Sequence, residues 1–243
     1  TNSFVVTTSQ MKEKIVNYSD DDDIASLNKF VDNGFIVEDD DDELNDYLNS
    51  VLRHRFDTTS YMVGINPTID CNLNCWYCYE KHIPSKASKE IIENTLKHIA
   101  VQYEKQRFSH LTFAFFGGEP LLYVDVIERV ISRIKQMSKE KGFSVSYGFT
   151  TNATLIDEKL LSILEYENVT FQITLDGNQK NHNRVRKLKS DGSGTYRMIL
   201  DAISLILTKL PGASVRVRIN VSIKNVDGLN DIVDDISQIP NNQ

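Results

Sequence analysis

The stretch YMVGINPTIDCNLNCWYC, residues 61–78, joins a strand pattern to a tight group of soft ligands. Tyr61, Val63 and Ile65 alternate with Met62, Gly64, Asn66 and Thr68, the period-2 signature of a strand. Directly after it come Cys71, Cys75 and Cys78, the only 3 cysteines in 243 residues. Their C-x3-C-x2-C spacing puts three thiolates on one short loop. Three such ligands for a four-iron cube leave one iron open to a small molecule. Thiolates also hold zinc, with His82, four residues after Cys78, available as a fourth ligand. The paired C-x2-C knuckles usual for zinc are absent.

Four more strand patterns follow, at 110–117, 143–152, 169–176 and 214–222, separated by helix-period stretches. Ile127, Val130, Ile131 and Ile134 form one helical stripe, and Ile199, Ala202, Ile203 and Ile206 another. Ser88 and Thr195 are placed to cap the first and fourth of these helices. Alternating strands and helices predict a parallel sheet with right-handed crossovers. The strands pair an apolar face with a mostly small or polar one, as in Leu111, Phe113, Phe115 against Thr112, Ala114 and Phe116. A flat sheet covered on both faces would read as continuous apolar runs, and a closed barrel would fill its lumen with branched residues. The pattern therefore predicts a curved, partly open barrel of about five β-α units, with helices outside and a polar concave face holding a ligand. The cysteine loop falls at the carboxyl end of the first strand, where ligands of such barrels bind. On the same face, Arg216 and Arg218 of the fifth strand fall at lumen or rim, either to hold a substrate carboxylate or simply to reach solvent.

The net charge of −7 is concentrated at the start. Residues 1–60 carry 5 Lys/Arg against 14 Asp/Glu, including the runs Asp20–Asp23 and Asp39–Asp42; the remainder carries 22 against 20. Such a surface repels nucleic acid and would attract a basic peptide or partner, or simply be solvated. Residues 1–60 read as a small α+β appendage: a helix near 24–31 ending at Gly34, Phe35-Ile36-Val37 as a strand, and a helix with Leu44, Leu48, Val51 and Leu52 on one face. It could be winged-helix-like or peptide-binding. No apolar run approaches the ~20 residues of a membrane span, and three clustered cysteines make a reducing cytoplasm the natural setting.

The loop Cys71–Cys78 resembles the cluster-binding loop of the radical S-adenosylmethionine (SAM) superfamily. Gly117-Gly118-Glu119-Pro120 after the second strand is similar to that family's GGEP. Thr151-Asn152-Ala153-Thr154 resembles its segment after the third strand, and Thr174-Leu175-Asp176-Gly177 with His182 and Arg186 the segment after the fourth. Within the superfamily the chain looks most like SPASM-type peptide and protein maturases, including anaerobic sulfatase maturases. The resemblance covers residues 61–243 and implies a partial (β/α)6 TIM-like barrel.

It further implies that Cys71, Cys75 and Cys78 ligate a [4Fe–4S] cluster and that SAM chelates the open iron. By the same resemblance Tyr77 contacts the adenine region, Gly117 and Gly118 let the backbone approach the methionine part, and Glu119 accepts from its amino group. Thr174 meets the ribose, Arg186 grips the carboxylate, and Asn152 belongs to the same lumen. The implied activity is reductive cleavage of SAM to a 5′-deoxyadenosyl radical that takes hydrogen from a peptide or protein, with formylglycine formation in a sulfatase as an alternative. The implied partners are that substrate and an electron donor such as flavodoxin or ferredoxin; the catalytic acid or base is not identified. A non-catalytic metal-binding module is the rival outside enzymology. Three positions depart from the family pattern: Ala153 for glycine, Thr174 for serine, and Asn183 for the aspartate after His182. Five strands rather than six, and no cysteine-rich C-terminal segment, point to a fragment of a longer protein.

Overall fold

The computed structural model describes residues 8–17, 28–32, 35–37 and 41–239. The chain divides into two compact units, Thr1–Asp57 and Thr58–Gln243. In the first, helices α1 (Ser9–Val16), α2 (Asn28–Asp32) and α3 (Glu43–Arg55) are present. Asp42, the last residue of the second acidic run, caps α3 by accepting from Asn45 N at 2.9 Å. The Phe35-Ile36-Val37 segment, expected as a strand, is bent; Phe35 N–H instead donates back to Phe30 O at 2.8 Å. Among the described residues of this unit there is no strand for the segment to pair with, so it gains no ladder. The expected residues 24–27 and Gly34 of the preceding helix, and the run Asp20–Asp23, lie outside the described residues.

The second unit is one parallel sheet of five strands in the order β1 (Ser60–Ile65), β2 (His110–Phe115), β3 (Ser144–Thr151), β4 (Asn168–Thr174), β5 (Ser214–Arg218). Helices α4 (Lys89–Gln106), α5 (Val124–Lys141), α6 (Glu158–Ile163), α7 (Gln179–Val185) and α8 (Tyr196–Lys209) connect the strands, and α9 (Leu229–Ser237) follows β5. The register lines up Phe115, Phe149 and Phe171 across β2, β3 and β4, with stacked rings 4.8 and 5.3 Å apart. Ile92, Leu96 and Ile99 of α4 are buried, as are both stripes expected on α5 and α8. Each isoleucine, leucine or valine among them contributes about 1.5–3 kcal/mol on burial. On the opposite face Thr112, Ala114, Ser146, Gly148, Thr170 and Gln172 remain half-exposed. One covered and one polar face is the alternation seen in the sequence, and the sheet is open rather than closed.

The strands end short of their expected bounds, β1 at Ile65 rather than 68, β2 at Phe115 rather than 117 and β4 at Thr174 rather than 176, and two further details differ. The fifth strand stops at Arg218 rather than 222, because Asp176 beyond β4 draws the Asn220 N–H (3.2 Å) and side-chain amide (3.0 Å) out of the ladder. Ser88 caps α4 as expected, accepting from Ile91 N at 3.2 Å, but Thr195 makes no side-chain cap for α8. Asn183 takes that task by accepting from Tyr196 N at 3.0 Å. No described helix is long and apolar enough to cross a membrane.

Candidate active site

Every motif singled out lies at the carboxyl edge of the sheet, and most of them border one cavity of about 210 Å3. Cys71, Cys75 and Cys78 line it, together with Tyr77, Gly117, Gly118, Asn152, Thr174, Arg186 and Arg218. Glu119 and Arg216 are not among the lining residues.

The cysteine loop is held from three sides. Beneath it, the two glycines after β2 cross its stem: Gly118 N donates to Thr68 O at 3.2 Å and Glu119 N to Asp70 O at 2.8 Å. The approach is so close that a Cβ on Gly118 would stand 2.1 Å from Asp70 O. The glycines are thus required by the protein's own loop, in addition to whatever occupies the cavity. Glu119 is fully buried and ties this crossing to the end of β3. Its Oε1 accepts from Thr151 Oγ1 (2.6 Å) and Leu121 N (3.0 Å), and its Oε2 from Asn152 N (2.7 Å). Burial pushes its carboxyl above the usual range, and those donors oppose the shift. Sequence reasoning missed this brace, because its partners lie 32 and 33 residues away.

Asn152 forms the second side. Its Nδ2 donates to Asn72 Oδ1 at 2.8 Å and reaches the Cys71 sulfur at 3.7 Å, while Thr154 N and Oγ1 fasten its Oδ1 at 3.0 and 2.7 Å. Ala153 follows with φ 61, the left-handed region that a glycine adopts without the Cβ penalty. The chain carries that local strain to keep Asn152 aimed at the loop.

On the third side lies the segment after α7. Arg186 Nε donates to Asp176 Oδ2 (2.9 Å) and to the Tyr77 hydroxyl (3.1 Å), and Tyr77 itself donates to Asp176. Burial works to raise the Asp176 carboxyl, but Tyr77 and Arg186 overcome it and hold it below the usual range. Arg186 therefore takes its orientation from Asp176, and Asn183 in place of an aspartate does not leave it without a carboxylate. His182, buried, accepts from Asp176 N at Nδ1 (3.2 Å) and meets Thr195 Oγ1 at Nε2 (2.9 Å). Since the Thr195 hydroxyl donates to Arg186 O at 3.1 Å, the hydrogen sits on Nε2 and the imidazole must be neutral.

A pH dependence follows. Burial lowers the His182 pKa to about 4, with Arg186 adding to the shift and Asp176 opposing it. The unfolded chain takes up the proton near 6.5, so this contribution is intact above that pH and is lost as pH falls from about 6.5 to 4. The expected loss is roughly 3 kcal/mol across that window. Urea unfolding at pH 7 and pH 4.5 checks it: a His182→Gln variant should lose less stability on acidification than the wild type.

The donor set suits an iron–sulfur cluster. Burial pushes the Cys71 thiol up to about 11, yet the Leu73 N–H (3.4 Å) and the Asn152 amide already aim at its sulfur. Donors set around a sulfur that burial keeps from ionising fit a thiolate whose charge is met by a metal centre. Among the described residues no group of three His, Cys, Asp or Glu side chains is gathered for a single ion. A cube asks for less convergence, since each thiolate takes a different iron. His82 Nε2 lies 3.3 Å from the Cys78 sulfur, the contact a zinc reading would use.

A half-barrel carrying a three-thiol loop beside a cavity of mixed lining, with Thr174, Asn152 and Arg186 among aromatic and aliphatic side chains, is the frame of a cluster-dependent enzyme. Residues 65–236 match the model of the radical SAM superfamily, and the chain belongs to that superfamily. The family uses a [4Fe–4S] cluster and SAM. The chain is 27% identical over 208 residues to the radical SAM cyclopropyl synthase TigE of Paramaledivibacter caminithermalis, a match covering 78% of this chain and 43% of that protein. It is 28% identical over 144 residues to a cysteine-type anaerobic sulfatase-maturating enzyme of Clostridium novyi, covering 56% and 37%. Among solved structures it resembles native anSMEcpe with bound AdoMet and Kp18Cys peptide, with TM-score 0.56, 25% identity, and 65% and 42% of the two chains covered. The chain thus spans less than half the length of these relatives.

Proposed function

We propose that this chain is the cluster- and SAM-binding core of a radical SAM enzyme that modifies a peptide or protein. The observation that carries the reading is the meeting of Cys71, Cys75, Cys78, Gly117, Gly118, Thr174 and Arg186 around one cavity. In this reading the three cysteines would hold the cluster, and the other residues lining the cavity would hold SAM. Bound there and given one electron by a donor, cluster and SAM would supply, along with methionine, a 5′-deoxyadenosyl radical for hydrogen abstraction from the substrate.

The chain's own residues bind and orient. The Arg186 guanidinium receives the SAM carboxylate, Thr174 a ribose hydroxyl, and the glycine backbone the methionine part. Tyr77, fixed through its hydroxyl, presents its ring to the adenine. Glu119 acts from below, by keeping Asn152 and the loop stem in place; any contact with the SAM amino group would be additional.

A peptide substrate is supported by the bound peptide in the anSMEcpe structure and by the maturase names among the relatives. Arg218, lining the cavity, offers a positive charge to a substrate carboxylate. Residues 1–60 are proposed as a separate acidic unit suited to a basic peptide segment, and a flavodoxin or ferredoxin as electron donor. Formylglycine formation in a sulfatase is the second reading, favoured by the same structural likeness.

Metal analysis of anaerobically purified full-length protein separates this from a structural metal site. The expected result is brown protein with about four irons per chain. Colourless protein holding a single zinc through the cysteines and His82 would end the proposal.

A further inference from the structure

Asp176 is 3% exposed at its side chain, yet four donors converge on it. Arg186 Nε and the Tyr77 hydroxyl meet Oδ2, while Asn220 N and Nδ2 meet Oδ1. Only a group that accepts at both ends satisfies this arrangement; an amide would set its NH2 against donors whichever way it turned.

The backbone beside Arg186 is fastened as well. Residues 187–189 run antiparallel to the cysteine loop: Asn74 N donates to Lys187 O (2.9 Å), Leu73 bridges Leu188, and Lys189 N donates to Asn72 O (2.8 Å). Lys189 Nζ closes the strip on Asp70 at 3.2 Å. The chain just after Arg186 is therefore held by the loop, its own carbonyl by the Thr195 hydroxyl, and its Nε by Asp176 and Tyr77. Among the described residues its two terminal nitrogens have no hydrogen-bond partner, although the side chain borders the cavity.

We propose that Asp176 is a positioning residue for SAM: by gripping Nε it aims the free end of Arg186 into the cavity and fixes Tyr77 beside it. The inference rests on the reading that Arg186 receives the SAM carboxylate. An arginine fixed before its ligand arrives loses less rotamer freedom on binding. The sign of the effect distinguishes positioning from charge balance. If Asp176 only offset the charge of Arg186, neutralising it would tighten the binding of a carboxylate. Positioning requires the opposite.

The experiment measures iron content and SAM Kd, read from the change SAM causes in the spectrum of the reduced cluster, in reconstituted full-length protein. Wild type, Asp176→Asn, Arg186→Ala and the double variant are compared. Asp176→Asn should keep its iron and raise the Kd about tenfold. The double variant should bind no more weakly than Arg186→Ala alone. Unchanged or tighter binding in Asp176→Asn, or fully additive losses in the double variant, would overturn the proposal. If Arg186→Ala binds SAM like the wild type, the arginine assignment itself falls. Should Asp176→Asn lose its iron, Asn220→Ala removes one donor and leaves the carboxylate. It should weaken SAM binding more modestly and non-additively with Arg186→Ala, and normal binding there would count against the proposal.

Discussion

Gly118→Ala is expected to cost the protein most of its iron. The added Cβ would stand 2.1 Å from Asp70 O, 2.5 Å from Asp70 C and 2.7 Å from Ile69 O. All three are backbone atoms, so no side chain can swing aside. The stem of the cysteine loop must retreat instead, breaking the bonds from Gly118 N to Thr68 O and from Glu119 N to Asp70 O. Asp70 precedes Cys71, so the first cysteine moves with it. Overpacking of this kind costs about 1–3 kcal/mol in stability. The larger effect is on metal retention, because cluster ligation needs all three sulfurs in register. Gly142→Ala is the control: it adopts φ +82 but has nothing within 4 Å, so it strains the backbone without touching the loop. Iron analysis after reconstitution should show Gly118→Ala at less than half the wild-type content and Gly142→Ala at the full value. Equal iron in all three proteins would contradict the account of the glycine crossing.

Glu119→Gln is expected to destabilise the protein before any ligand binds. The carboxylate accepts at both oxygens from three donors, Leu121 N, Thr151 Oγ1 and Asn152 N. An amide leaves its NH2 facing at least one of them in a site without solvent. The cost of such an unsatisfied buried pair is about 1–3 kcal/mol. Denaturant unfolding of the metal-free protein measures it. Loss of SAM affinity with unchanged metal-free stability would instead assign Glu119 to the ligand alone.

The fold was largely legible because the strands keep one apolar face under helices and leave the other polar. Phe113 against Thr112 and Phe171 against Thr170 are enough to exclude a flat sheet covered on both sides. The helical stripes were legible for the same reason, since α5 and α8 each bury one face. What escaped were side chains that act across the chain. The fifth strand ends early because Asp176, 44 residues before Asn220, competes for its amide. Thr195 sits at a cap position, but His182 and Arg186 O take its hydroxyl, and Asn183 caps α8 in its place. The cysteine loop announced itself through local spacing. The link from Tyr77 to Arg186 spans 109 residues and carries no local signature.

The departures of this chain from its family's pattern also acquire physical content. Ala153 retains the left-handed turn at the expense of local strain. Asn183 remains an acceptor for the start of α8, and Asp176 supplies the carboxylate for Arg186. Thr174 remains on the cavity wall, where its hydroxyl can do what a serine's would. None of the three removes a group that the proposed SAM site requires.

Formation of 5′-deoxyadenosine from SAM by the reconstituted full-length protein, with dithionite as reductant, tests the central claim most directly. The expected result is dithionite-dependent release of 5′-deoxyadenosine and methionine by the wild type, falling to background in Cys75→Ala. A Cys75→Ala protein that releases 5′-deoxyadenosine at the wild-type rate, or a wild type with a full complement of iron that releases none, would contradict it.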